Sequence, residues 1–365
     1  MGDKRTLAAI DIGSNAIRMI IAEVAESSGQ VKFVPVRKYR MPIRLGNDVF
    51  ESGKISGKNL KASVQAFMKF SQLSKKHGVQ SLQAVGTSAL REAKNQIHFV
   101  ELMRRKSGIQ IEIIDGTKEA ELIHQAVSRQ VRIDNARALL VDVGGGSVEL
   151  TVSQEGKIER SQSFPFGTVR SLKLMKKRNF HEEHMNLIIG DFIRPLSQFL
   201  WNGTSPRVDF AIGTGGNLET LGKLKPVLLD KGSRTEMTDV ELENLIRKLQ
   251  QVSLKDRVQR LGLRPDRADV IIPASLVVQV VLRQASIHRL VIPYVGLKDG
   301  ILWSMLEQTG KFVGSPPSNG PASPSGSAKG SSLSANKVNT ANAVNPSGAI
   351  KPTRACPESY ASLRC

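Results

Sequence analysis

Cysteine is almost missing from this 365-residue chain: the two present, Cys356 and Cys365, both lie at its C-terminal end. A disulfide-built fold or a thiolate metal site in the body of the protein is thereby excluded. Aromatic residues are scarce at 5%, and most are Phe inside apolar runs, so the stacking platforms of a nucleic-acid-binding module are lacking. No apolar run approaches the ~20 residues of a membrane-spanning helix. Nothing before Asp11 has the form of a signal peptide, so the expectation is a cytoplasmic protein with no membrane partner. Acid is in short supply as well, with 33 Asp and Glu against 52 Lys and Arg, a formal charge of +19. Residues 314–365 hold five Lys or Arg and one Glu, or +4, which leaves +15 on the rest. So basic a body attracts polyanions, and without aromatic platforms nucleic acid is not the expected one.

What the chain does have is a turn repeated at domain spacing. Leu7 to Ile10 runs into Asp11-Ile12-Gly13-Ser14-Asn15, and Ile17 to Val24 runs out; Ala138 to Val141 runs into Asp142-Val143-Gly144-Gly145-Gly146-Ser147, and Val148 to Val152 runs out. Both read as β-hairpins with an acid at the tip. Glycine at such tips is expected to take φ > 0 and turn successive N–H groups toward an anion, the backbone nest that binds phosphoryl oxygens. Ser14, Asn15 and Ser147 add side-chain donors. Asp142 and Glu149 alternate with apolar residues along the second hairpin, and two carboxylates near a phosphate loop are enough to hold Mg²⁺, with Mn²⁺ as an alternative. The two turns lie 131 residues apart (142 − 11), about one domain length, which predicts two similar α/β lobes facing each other across a cleft.

A third glycine-rich turn, Gly213-Thr214-Gly215-Gly216-Asn217, follows the apolar run Val208 to Ile212 and leads into a helix expected from Leu218. Arg91 is expected in or at the start of a helix just after the strand Leu82 to Val85, where a guanidinium suits phosphate through its fork of donors. Glu119 falls in the first turn of a helix expected over Thr117 to Arg129, with Thr117 as its cap and Ala120, Ile123 and Val127 marking the buried face. Gly53-Lys54 is no P-loop, because the interval from Gly46 is too long and Ile55 stands where Ser or Thr belongs. His181-Glu182-Glu183-His184 reads as the polar opening of an amphipathic helix running to Leu200 and not as a metal site.

Two facing acidic phosphate loops resemble the actin, Hsp70 and sugar-kinase superfamily, built from ribonuclease-H-like lobes around a central cleft. The resemblance narrows when further segments are read in order: Ile43-Arg44-Leu45-Gly46, Gly86-Thr87-Ser88-Ala89-Leu90-Arg91, Asp115-Gly116-Thr117-Lys118-Glu119-Ala120-Glu121, Phe166-Gly167-Thr168-Val169-Arg170, Arg267-Ala268-Asp269-Val270-Ile271 and Gly296-Leu297-Lys298-Asp299-Gly300. Together with the three turns they resemble the exopolyphosphatase and guanosine-pentaphosphate phosphohydrolase group, the Ppx/GppA family, in its short two-domain form. That resemblance implies hydrolysis of terminal phosphoanhydride bonds of polyphosphate or guanosine pentaphosphate. It implies Glu119 as the base that activates water, Arg91 and the loop residues, Gly215 included, as phosphate contacts, and leaves a homodimer open. Lys118 stands where the family carries the first of two adjacent Glu residues, Glu119 matching the second, and a cation there is expected to lower the pKa of Glu119 or to assist phosphate. An ATP-using kinase or ATPase of the same superfamily, or a non-catalytic sensor, are the alternatives. The expected organisation is a first lobe over 1–125, a second over 126–312, and a disordered tail over 313–365, whose Ser, Pro, Gly, Ala and Asn cannot bury enough surface to order it.

Overall fold

The computed structural model describes residues 5–27, 30–201, 207–230 and 232–308. The tail expected from residue 313 onward lies outside them.

Two mixed sheets carry the fold, and they share one plan. The first is built from β1 (Arg5–Ile12), β2 (Ile17–Ser27), β3 (Gln30–Met41), β4 (Ser81–Gly86) and β5 (Glu112–Ile113), in the spatial order β3-β2-β1-β4-β5. The second contains β6 (Arg137–Val143), β7 (Val148–Gln154), β8 (Lys157–Phe164), β9 (Phe210–Thr214), β10 (Glu236–Thr238) and β11 (Arg289–Val291), ordered β8-β7-β6-β9-β11-β10. In each, an antiparallel meander of three strands gives way to parallel partners of its first strand, so β1 corresponds to β6 and β4 to β9. The strand β10 is an addition at the far edge of the second sheet, antiparallel to β11.

Alternation along the central strands sorts their side chains into three cores. Ala8, Ile10 and Ile12 of β1 pack with Phe67, Phe70 and Phe99 on one face of the first sheet, while Leu139, Val141 and Val143 of β6 pack with Phe192 and Leu196 on one face of the second. The other faces meet: Leu7, Ala9, Leu140 and Ile212 enclose a shared core with Leu122 and Ile123 from the helix Gly116–Ser128 and with Ile301 and Met305 from the helix Leu297–Glu307. Strands buried on both faces read as unbroken apolar runs, as both do. The helix Leu297–Glu307 therefore packs back on the first lobe. It approaches so closely that a Cβ on Gly300 would clash with the carbonyl of Leu122. Among the described residues no helix is long and apolar enough to cross a membrane.

Candidate active site

Both repeated turns are four-residue connections closed by one hydrogen bond, Gly13 N to Ala16 O at 3.1 Å and Gly144 N to Ser147 O at 3.0 Å. Their acids occupy equivalent rungs, one in from the turn, and there the copies part. Asp11 lies directly across from Arg18, with 3.7 Å between Oδ2 and a guanidinium nitrogen, whereas Asp142 lies directly across from Glu149.

The turns face one another across a cleft of about 70 Å³. Of the residues singled out in the sequence, Asp11, Gly13, Ser14, Asn15, Glu119, Asp142, Gly144, Gly145, Gly146, Ser147 and Gly215 line it. Glu149 does not line it directly: one carboxylate oxygen accepts from Ser163 Oγ at 2.9 Å. Arg91 is also turned aside. It sits in the helix Ser88–Glu92, donates to the carbonyl of Ile114 at 2.6 Å, and stands 3.9 Å from Glu119 Oε2, beyond hydrogen-bond reach.

The glycines of both turns serve a different end from the one expected. None of Gly13, Gly144, Gly145 and Gly146 has a positive φ in the left-handed region. What they provide is room. A Cβ on Gly146 would sit 2.5 Å from the Phe50 ring and 2.7 Å from Ser14 Oγ, and one on Gly145 would press on Ser14 Cβ at 3.1 Å and on Asn15 N at 3.2 Å. Thus the second turn is stripped of side chains because the first lobe lies against it. Gly215 does take a left-handed φ of 79°, and its bare Cα also lets Asp142 Oδ1 approach; the helix it opens, Gly215–Leu228, starts three residues before the expected Leu218.

Glu119 reaches the cleft from the helix Gly116–Ser128, which starts one residue earlier than its apolar spacing implies. The cap is Asp115 and not Thr117: its carboxylate accepts from Lys118 N at 2.8 Å. The start of this helix is wedged against the second lobe, since a Cβ on Gly116 would clash with Ser163 of β8. Glu119 is 9% exposed, and its Oε2 is a buried oxygen with no hydrogen-bond partner. Burial raises its pKa well above the usual carboxylate range, and the neighbouring Glu149 and Asp142 raise it further. Lys118 takes no part. Its ammonium turns outward to Glu121 at 3.3 Å, so the cation expected to lower the pKa of Glu119 does not face it.

Four carboxylates, three lining the cleft and Glu149 across the hairpin from Asp142, are all pushed toward the protonated form. Asp11 is raised by burial, partly offset by Arg18. Asp142 is raised by burial despite the hydroxyl of Thr214 donating to it at 2.9 Å. Glu149 is raised by burial and by Asp142 to about 7, against hydrogen bonds from Ser147 and Ser163. Neither Asp142 nor Glu149 has an ion-paired partner among the described residues, and facing like charges on adjacent strands repel. Carboxylate oxygens without an ion-paired partner, beside a glycine-rich turn, suit a hard divalent cation.

Sequence reasoning passed over the basic residues of the same cleft. Arg18, Arg267 and Lys298 line it. Arg267 is buried, its guanidinium hydrogen-bonds the side chain of Asn217, and burial together with the nearby Arg18 and Arg40 lowers its pKa to about 9. Arg18 could have been found by counting across the hairpin from Asp11. Arg267 and Lys298 lie within the motifs quoted above, but their spacing carries no sign that they share a cavity.

Comparison with known proteins accords with this geometry. Residues 20–309 match the model of the Ppx/GppA phosphatase family. The exopolyphosphatase 1 of Mycobacterium bovis is 25% identical over 309 residues, covering 82% of this chain and 88% of the relative. A guanosine-5'-triphosphate,3'-diphosphate pyrophosphatase of Aliivibrio fischeri is also 25% identical over 303 residues, 82% of this chain but 59% of that longer protein. The crystal structure of an exopolyphosphatase from Cytophaga hutchinsonii superposes with a TM-score of 0.73 at 24% identity, covering 83% of this chain and 98% of that one, which establishes the actin-like fold with two lobes. The chain belongs to the Ppx/GppA phosphatase family.

Proposed function

We propose that the protein releases orthophosphate from the end of inorganic polyphosphate or from guanosine pentaphosphate, by attack of water on the terminal phosphorus. One observation carries the reading: Glu119, one carboxylate oxygen of which has no hydrogen-bond partner, lines a cleft walled by the two glycine-rich turns. In the reaction the oxygen of water bonds to the terminal phosphorus, Glu119 takes its proton, and the bond to the bridging oxygen breaks. A base whose pKa is raised toward neutrality suits that task. The N–H groups of Gly13 and Gly144 close their own turns, which leaves the remaining amides of both turns, that of Ser147 included, with the Ser14 hydroxyl to hold the phosphoryl oxygens. Asp142 and Glu149 would hold the divalent cation, which when bound supplies charge neutralisation for those oxygens. Relatives named for each of the two substrates support the substrate class and leave the choice between them open. A kinase is less well supported, since the unpartnered base suits the activation of water.

The test is phosphate release from polyphosphate, guanosine pentaphosphate and ATP, measured side by side with Mg²⁺, for the native chain and Glu119→Gln. Turnover of the first or second substrate should exceed that of ATP. Glu119→Gln should lower kcat by about 10²-fold or more while binding persists. Unchanged turnover in Glu119→Gln would remove the base from the mechanism.

A further inference from the structure

Two of the motifs read from the sequence, Ile43-Arg44-Leu45-Gly46 and Arg267-Ala268-Asp269, lie far apart along the chain and have no part in the chemistry above. They meet. The Arg44 guanidinium makes four hydrogen bonds: Nε to Asn15 Oδ1 at 2.6 Å, one terminal nitrogen to Asp269 Oδ2 at 2.6 Å, and the other to Asp269 Oδ1 at 2.9 Å and to the carbonyl of Asp266 at 3.0 Å. Asn15 completes the ring, its Nδ2 donating to the same Asp266 carbonyl at 2.9 Å. Beside it Arg40 pairs with the Asp266 carboxylate. Arg40, Arg44 and Asn15 belong to the first lobe, and both aspartates to the second.

The anchoring on each side is firm. Gly46 N donates to Ser14 O at 2.9 Å, so the backbone carrying Arg44 is tied to the first phosphate turn. On the other side, Asp266 and Asp269 flank Arg267, the buried arginine of the cleft, on and just after the short helix Pro265–Ala268. A two-pronged Arg–carboxylate pair is among the stronger polar contacts, and these side chains are mostly shielded, at 16% exposure for Arg44 and 28% for Asp269. Asn15 and Arg267, which the pairing holds from the two lobes, both line the cleft. A phosphate chain or nucleotide that enters it lies between the lobes that this pairing joins.

We infer that Arg44, Asn15, Asp266 and Asp269 form a clasp that closes the lobes over the substrate and, in closing, sets Asn15 and Arg267 against its phosphates. Arg44 is then a positioning residue, fully engaged by protein partners and not itself a phosphate contact. The inference concerns closure and rests on the proposed phosphatase reading only for what the closed cleft holds. Because the body of the protein lacks cysteine, closure can be measured without turnover. In the full chain carrying Cys356→Ser and Cys365→Ser, Ile97→Cys on the first lobe and Val227→Cys on the second, both at exposed positions, take spin labels. The distance between the labels is then read with no substrate present.

Arg44→Ala and Asp269→Ala should each lengthen and broaden that distance. Each should lower kcat/KM by about 10-fold, mostly through KM, and the double variant should be no worse than either single one. Arg44→Lys keeps the charge and guards against misfolding; it should recover less than half of the loss, because the fork is gone. The exchange Arg44→Asp with Asp269→Arg should restore part of the short distance. An unaltered distance in Arg44→Ala, or additive losses in the double variant, would overturn the clasp. Should the distance lengthen while none of the phosphate substrates is turned over, the clasp stands and the phosphatase reading falls.

Discussion

The two hairpins are the same device folded twice, and a single residue on the second strand gives them opposite electrical characters. In the first, Asp11 faces Arg18; in the second, Asp142 faces Glu149. Burial raises Asp11 as well, but the first turn has a cation of the protein opposite its acid to offset it. The second has two acids raised by burial, Glu149 by Asp142 too, with no ion-paired partner among the described residues, and an added cation or proton relieves them. The difference shows that strand order and turn length fix where a carboxylate sits, while its cross-strand neighbour decides what it can bind.

The largest effect expected from breaking this contrast is on the second hairpin. Glu149→Gln should lower turnover by about 10²-fold and raise the Mg²⁺ concentration needed for half-maximal rate, while raising Tm in metal-free buffer because one of two opposed buried charges is gone. Arg18→Gln should do the reverse to stability, lowering Tm by removing the cation directly across from Asp11. Equal responses in the two variants would erase the distinction drawn between the hairpins.

Packing offers a second contrast. Gly146→Ala drives a methyl group into Phe50, Ser14 and Ser88, and overpacking of that kind costs about 1–3 kcal/mol. It should also reduce kcat by about 10-fold by moving the turn. Gly13→Ala meets Ala16 O at 3.3 Å and Asp11 Oδ1 at 3.6 Å and should be tolerated with a loss of less than about 1 kcal/mol. Thermal melts of both variants decide whether room, and not dihedral freedom, is why the second turn carries three glycines.

A smaller effect is the pH dependence of the metal-free protein. Glu149 titrates at about 7 in the folded chain against 4.5 when unperturbed. The folded state therefore binds this proton more readily, and the stability it contributes is full below 4.5 and lost as pH rises through 7. In EDTA, Tm should fall by a few degrees between pH 5.5 and pH 8, Mg²⁺ should restore it most at pH 8, and Glu149→Gln should flatten the slope. A Tm that rises over this window would contradict the assignment. The smallest effect is expected from Lys118→Glu, which should change kcat less than about 3-fold because the side chain points away from Glu119.

Much of this was legible in the sequence, and the rest was hidden for identifiable reasons. Acid and glycine between apolar runs gave away both hairpins, and the 131-residue interval gave away the two lobes. Counting across the turn from Asp11 would have produced Arg18. The role of Gly145 and Gly146 was misread because Ser14, Phe50 and Ser88, which crowd them, come from the other lobe, and local rules of dihedral preference say nothing about them. Asp115 outcompetes Thr117 as cap because its side chain is placed to meet Lys118 N, a one-residue difference that apolar spacing does not resolve. The clasp was invisible for a plainer reason: Arg44 and Asp269 are separated by 225 residues, and nothing local marks either as the other's partner.

The shared strand order of the two sheets has a consequence for symmetry. Two identical lobes assembled as a dimer about a twofold axis must present the same hairpin to the cleft, so that an arginine opposite one aspartate implies an arginine opposite the other. Such a pair could be balanced twice or acidic twice. Covalent linkage of the two copies in one chain removes that constraint, letting position 18 become basic while position 149 becomes acidic. The cleft gains a direction from this, one wall inviting a cation and the other already holding one, and a linear substrate entering it has a defined end to present.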